Sequence, residues 1–79
     1  MSIKEYDVVA LTEDIQATHK DTQQPILLRC GQVGTALMDL DGQAYLIDFA
    51  DAQGHTYAME TIPAHQLIVL FYEPILTYA

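Results

Sequence analysis

The sequence predicts a small all-β protein, and three of its features point to that class. Residues 44–51 alternate so that Tyr45, Ile47 and Phe49 share one face of a strand, which predicts a core face. Asp41-Gly42, just before this segment, is a pair that tight hairpin turns favour. The other apolar segments are short and are joined by turns that contain Gly or Pro.

The length predicts one domain with a thin core. The chain has 79 residues, and a chain of this size buries only about 60% of its unfolded surface. The predicted domain spans residues 1–79, with a core over about 7–71 and a C-terminal extension over 72–79. Because 51% of the residues are hydrophobic, the chain is expected to fold.

The first third of the chain predicts one strand and one long connection. Residues 7–13 are rich in β-branched side chains, which suits a strand. From Asp14 to Gln24 the chain is polar and has no sustained period. This segment predicts a long irregular loop, with a short helical turn over residues 13–18 as the alternative.

The remainder predicts four more strands. The second begins between Gly31 and Gly34 and ends near Leu40, since glycine lets the backbone bend or approach closely. The third covers residues 44–51. The fourth covers residues 55–62, and its pattern leaves open which face lies inside.

The break before the last strand completes the predicted order. Pro63 fixes φ and lacks a backbone donor, so residues 63–66 predict a single helical turn before a fifth strand over Leu67–Tyr72. Five short strands, a long first loop, two tight hairpins and this short helical turn match the order of a small five-stranded SH3-like barrel.

Several of these segments also resemble a protein family. The segments that carry the resemblance are Asp7-Val-Val-Ala-Leu11, Gly31-Gln-Val-Gly-Thr35, Tyr45-Leu-Ile-Asp-Phe49, Gly54-His-Thr-Tyr-Ala58 and Pro63-Ala-His-Gln-Leu67. Over residues 7–70 they are similar to a small bacterial family known as domain of unknown function 4926. The resemblance implies an adaptor rather than a catalyst, and some members look like antitoxins encoded beside a toxin.

The charge balance narrows the class of partner. Eleven acidic residues against three basic ones give a formal net charge of −8. Affinity for nucleic acid depends mainly on cations that neutralise phosphates, so the balance argues against a nucleic-acid partner. It also argues against an anionic membrane, and the longest apolar run, residues 67–72, is far shorter than the ~20 residues that span a bilayer. A basic protein surface is the favoured partner.

Cysteine usage and the first residues predict a cytoplasmic protein. Cys30 is the single cysteine of the sequence, so no disulfide can form within the chain. Residues 1–7 are charged and lack the apolar core of a signal peptide.

The candidate catalytic and cofactor sites each lack residues that their chemistry needs. A nucleophilic Cys30 needs a base, which a histidine supplies only if tertiary folding brings it near. Asp51, His55 and His65 lack the spacing of a structural zinc site. Gly31-Gln-Val-Gly34 lacks the Lys-Ser/Thr of a nucleotide loop. The sequence therefore predicts no enzyme, no metal and no cofactor.

The last predicted strand is the strongest functional feature. Both of its alternating sets of side chains are apolar or aromatic, which is a two-sided burial pattern, and residues 75–78 add apolar surface. Either this segment folds back over its own domain, or it contacts another chain. Burial of about 300 Å² of apolar surface is worth roughly 7 kcal/mol before association costs, so exposure to water is the least favoured state.

These features predict a non-enzymatic protein-binding module, the acidic and antitoxin-like partner of a basic toxin. The predicted contact residues are apolar side chains near the C-terminus with acidic side chains as a rim: Ile68, Leu70, Tyr72, Ile75, Leu76, Tyr78, Asp48 and Glu60. The apolar group is expected to supply affinity, and the carboxylates orientation and association rate. Two alternatives stay open: a homodimeric structural module, and a small regulatory subunit of an enzyme or electron-transfer complex.

Overall fold

A computed structural model describes residues 2–77 of the chain. Within them lie seven strands and one 3₁₀ turn: β1 (Val8–Leu11), β2 (Ile15–Thr18), β3 (Pro25–Leu28), β4 (Val33–Leu40), β5 (Ala44–Ala50), β6 (Thr56–Pro63), the 3₁₀ turn (Ala64–Gln66) and β7 (Leu67–Val69). The predicted all-β class is confirmed. No helix among these residues is long and apolar enough to cross a membrane.

The described strands form two antiparallel sheets that do not close into one barrel. The larger sheet has five strands in the order β6-β5-β4-β1-β7, and the smaller one pairs β2 with β3. The sequence predicted five strands, and the two additional ones are those of the smaller sheet.

The segment that was predicted as a long irregular loop contains a β-hairpin. Ile15 pairs with Leu28 and Ala17 with Ile26, and these four side chains pack against the core. The inward residues alternate with exposed ones, but polar residues between and beyond them obscure the period in the sequence. The prediction of a loop is therefore wrong here, as is the alternative of a helical turn over residues 13–18.

The predicted hairpin and the predicted core face are confirmed. Asp41 and Gly42 have φ values of 62° and 69°, the left-handed conformation that a tight turn requires. Tyr45, Ile47 and Phe49 are all buried. The predicted helical turn before the last strand is also present, as a 3₁₀ turn.

One core lies on the inner side of the larger sheet and beneath the hairpin. Its buried members are Ile3, Val9, Leu11, Leu28, Ala36, Tyr45, Ile47, Phe49, Ala58, Ile62, Leu67 and Val69. Cross-strand pairing decides the face that the sequence left open in β6: Ala58 lies opposite Phe49 and Ile62 opposite Tyr45, so these two face inward.

The last strand is shorter than predicted. It was expected to continue to Tyr72, but β7 ends at Val69. Its neighbour β1 begins at Val8, and the bond from the Leu70 N–H to the Val8 carbonyl, 2.9 Å, continues the ladder one residue beyond β7. Beyond Leu70 no described strand lies alongside, so residues 71–77 leave the sheet.

Candidate functional site

An apolar patch is formed by the outer side of β7 and the segment that follows it. We define the apolar patch as Ile68, Leu70, Phe71, Tyr72, Ile75 and Leu76. Within β7, Leu67 and Val69 point into the core, and Ile68, which lies between them, is 45% exposed. The alternation that buries one side of β7 therefore turns the other side outward.

Beyond Leu70 the apolar side chains are almost fully exposed. Phe71, Tyr72, Ile75 and Leu76 are 79–92% exposed. Such exposure shows that these side chains do not cover the sheets of their own chain. Of the six predicted apolar contact residues, Ile68, Leu70, Tyr72, Ile75 and Leu76 are exposed, and Tyr78 lies outside the described residues.

The two predicted acidic contact residues do not border this patch. Asp48 lies on β5, which β4 and β1 separate from β7, a distance of roughly 14 Å at ~4.8 Å per strand. Its Oδ1 accepts a hydrogen bond from the Thr56 hydroxyl at 2.6 Å. Glu60 lies opposite Ile47, on the inner side of β6, where its Oε2 accepts the Thr18 N–H at 3.3 Å. The structure therefore assigns both carboxylates to contacts within the domain.

A different set of carboxylates lies at the end of the larger sheet from which the apolar patch departs. Because β1 is antiparallel to both β4 and β7, the start of β1 lies at the same end as the ends of the other two. The acidic end, as we call it, comprises Glu5, Asp7, Asp39, Asp41 and Glu73. Lys4 is the one basic side chain among the described residues that precede β1. Sequence reasoning missed this set because strand order is needed to bring these turns together.

Cys30 is exposed, and its hydrogen bonds join the β3–β4 loop to the connection between β1 and β2. Its N–H donates to Asp14 Oδ1 at 2.8 Å, and its thiol donates to the Thr12 carbonyl at 3.3 Å. A surface recess of about 280 Å³ beside it is lined by residues 29–32. None of these lining residues is a histidine or a carboxylate, so the recess provides no general base for the thiol.

The candidate metal ligands do not assemble either. No group of three or more His, Cys, Asp or Glu side chains among the described residues could hold an ion. His55 Nδ1 lies 4.0 Å from Asp51 Oδ2. The Asp51 carboxylate accepts the backbone N–H groups of His55 and Gln53, and the bond from His55 is the main cause of its lowered pKa. The role that this geometry supports for Asp51 is closure of the β5–β6 turn.

A comparison with models of known protein families identifies the family of this chain. A family model described as Domain of unknown function (DUF4926) matches residues 5–69. The chain belongs to this family. The DUF4926 match covers both sheets and ends where β7 ends, so most of the apolar patch lies beyond it. The predicted membership is thus confirmed. No curated protein and no solved structure matches the chain.

Proposed function

We propose that this DUF4926 protein is a non-enzymatic protein-binding module, the acidic and antitoxin-like component of a two-protein system. The observation that carries the proposal is the joint presence of an acidic end and an exposed apolar patch on one small domain. Carboxylates steer and orient a basic partner, whereas exposed apolar surface of this extent marks protein contact. A cytoplasmic location belongs to the proposal and is supported by the single, free Cys30.

We also propose that the fold is of the SH3-like kind. The support is the order of its elements. A hairpin follows the first strand of the larger sheet, tight turns join β4 to β5 and β5 to β6, and a 3₁₀ turn precedes the last strand. Small barrels of this order serve many functions, so the fold class adds no activity to the proposal.

The acidic end is the surface proposed for the basic partner. Three of its carboxylates, those of Glu5, Asp41 and Glu73, accept no hydrogen bond from the described residues. Their charge is therefore available for an external cation. Charges on such a rim change the association rate and the salt dependence of binding more than they change the buried contact area.

The test is purification of the tagged protein from its native cell. A basic partner is expected to be retained in near-stoichiometric amount, and its retention is expected to fall when Glu5→Gln, Asp41→Asn and Glu73→Gln are combined. The control removes three charges elsewhere, through Glu13→Gln, Asp14→Asn and Asp21→Asn, whose amide oxygens can still accept the bonds from Gln66, Cys30 and Lys20. It is expected to retain the partner.

The outcome also separates the alternatives for function. A partner whose activity the purified module suppresses supports an antitoxin-like role, and a partner that belongs to a metabolic or redox complex supports a regulatory subunit. Retention of an acidic or neutral partner, or equal losses in the two triple variants, would contradict recognition by the acidic end.

A further inference from the structure

We infer that the apolar patch is occupied by a second copy of this chain. The first reason is chemical. Between Ile68 and Thr77 the sequence carries one charged side chain, Glu73, so the patch itself gives a basic partner little to recognise. A second copy presents the same apolar side chains, so the two surfaces match in polarity.

The second reason is area. The six side chains of the patch are 38–92% exposed. They expose on the order of 900 Å² per copy, so complete burial of both copies would remove at most roughly 1,800 Å² from water, and even two thirds of that area falls within the range of stable interfaces. The patch is thus large enough to form a dimer without help from other parts of the surface.

The third reason is the position of the patch at a free sheet edge. Strand β7 is the outermost strand of the larger sheet and pairs with β1 on one side. A two-fold axis perpendicular to residues 68–77 sets the two copies of this segment antiparallel to each other, so that the two domains lie at opposite ends of the paired segments. An exposed strand edge is a ready template for such pairing.

Charge repulsion does not prevent this arrangement. With the two-fold axis at the middle of residues 68–76, residue 70 of one copy lies opposite residue 74 of the other, so the two sheet ends are about 13 Å apart at ~3.3 Å per residue. This separation is greater than the screening length of ~8–10 Å at physiological salt. Glu73 lies beside the axis, whereas the other carboxylates of the acidic end stay accessible in the dimer. The inference goes beyond the proposed function without resting on it.

The test is the oligomeric state of the purified protein, measured by sedimentation velocity over a range of concentrations. The wild type is expected to be dimeric, and Tyr72→Asp and Leu76→Asp are each expected to weaken the dimer by at least tenfold. Both side chains are almost fully exposed, so neither change disturbs the core. Leu27→Asp is the matched control, because Leu27 is 50% exposed on β3 of the smaller sheet. It is expected to stay dimeric.

A cross-link locates the two-fold axis. Tyr72 lies at the middle of residues 68–76, so a cysteine there faces its own copy across the axis. In the Cys30→Ser background, Tyr72→Cys is expected to form a disulfide-linked dimer on mild oxidation, and Leu27→Cys is not.

Three results would overturn the inference: a monomeric wild type at every concentration, equal weakening by Leu27→Asp, or equal cross-linking of the two cysteine variants. None of them bears on a basic partner at the acidic end. A monomer that still retains such a partner therefore disproves the dimer alone, and a dimer without a partner disproves the proposed function alone.

Discussion

Gly34 is the position at which an added methyl group is expected to destabilise the fold most clearly. A Cβ there would lie 2.6 Å from Ile47 Cγ2 and 3.0 Å from the Asp48 carbonyl oxygen. Ile47 is fully buried and the oxygen belongs to the β5 backbone, so neither can move without a shift of the core. We expect Gly34→Ala to lower the free energy of unfolding by about 1–3 kcal/mol, as measured by urea denaturation.

Gly42→Asn is the control for this prediction. Gly42 has a φ of 69°, and nothing lies within 4 Å of the Cβ position. Asparagine tolerates the left-handed conformation better than most residues, so the cost should stay below about 1 kcal/mol. A Gly34→Ala variant as stable as Gly42→Asn would contradict the close approach of β4 to β5.

The lowered pKa of Asp51 predicts that the stability of the fold depends on pH. The backbone N–H of His55, followed by that of Gln53, lowers the pKa of the Asp51 carboxyl from its usual 3.8. A carboxyl whose pKa is lower in the folded state stabilises the fold above its unfolded pKa, and this contribution is lost as pH falls through the folded pKa. The Tm advantage of the wild type over Asp51→Asn should therefore be full at pH 7, begin to fall near pH 3.8 and be lost as pH drops through the lower, folded pKa. A difference that is independent of pH would assign the effect to geometry rather than charge.

At the scale of elements, the hairpin of β2 and β3 is held to the larger sheet by few polar contacts. The Lys20 N–H donates to the Tyr57 carbonyl at 2.7 Å, and the Thr18 N–H donates to Glu60. Glu60→Ala removes one of these acceptors. We expect faster amide hydrogen exchange over residues 15–28, with little change in the five-stranded sheet.

The conservative variant separates hydrogen bonding from charge at this position. Glu60→Gln keeps an acceptor for the Thr18 N–H and should exchange like the wild type. Equal acceleration in both variants would show that the carboxylate charge matters. Unchanged exchange in Glu60→Ala would show that apolar packing alone holds the hairpin.

Prediction from sequence succeeded where one signal determines the local structure. The turn at Asp41-Gly42 and the alternation of β5 follow from backbone preference and period, and both are confirmed. The hairpin of β2 and β3 was missed because its inward side chains alternate with polar ones over only four residues in each strand. The end of β7 was also missed, since it depends on where its neighbour β1 begins.

The apolar residues of the candidate site were predictable from the sequence, whereas the acidic residues near them were not. Composition and alternation identify Ile68, Leu70, Tyr72, Ile75 and Leu76 as surplus apolar residues, and all five are exposed in the structure. Asp48 and Glu60 were assigned to the rim from acidity alone. Which acidic residues come together depends on strand order, which places the segment before β1 and the turn after β4 at one end of the larger sheet.

At the scale of the whole molecule, the two proposed contacts should respond to salt in opposite directions. Attraction between the acidic end and a basic partner is Coulombic, so its affinity should fall as ionic strength rises from low to physiological values. Association of two copies brings together chains that each carry a formal charge of −8, so screening should strengthen it. Apolar burial in the patch does not itself weaken with salt.

Two dissociation constants test this prediction across one salt series. Sedimentation gives the constant of the dimer, and calorimetry gives the constant of the partner complex. Combining Glu5→Gln, Asp41→Asn and Glu73→Gln should flatten both dependences, because it removes charge from the surface that attracts the partner and repels the second copy. Leu76→Asp should weaken the dimer and leave the salt slope of partner binding in place. If both affinities fell together with salt, a single charged surface would serve both contacts, and the separation of apolar patch from acidic end would be wrong.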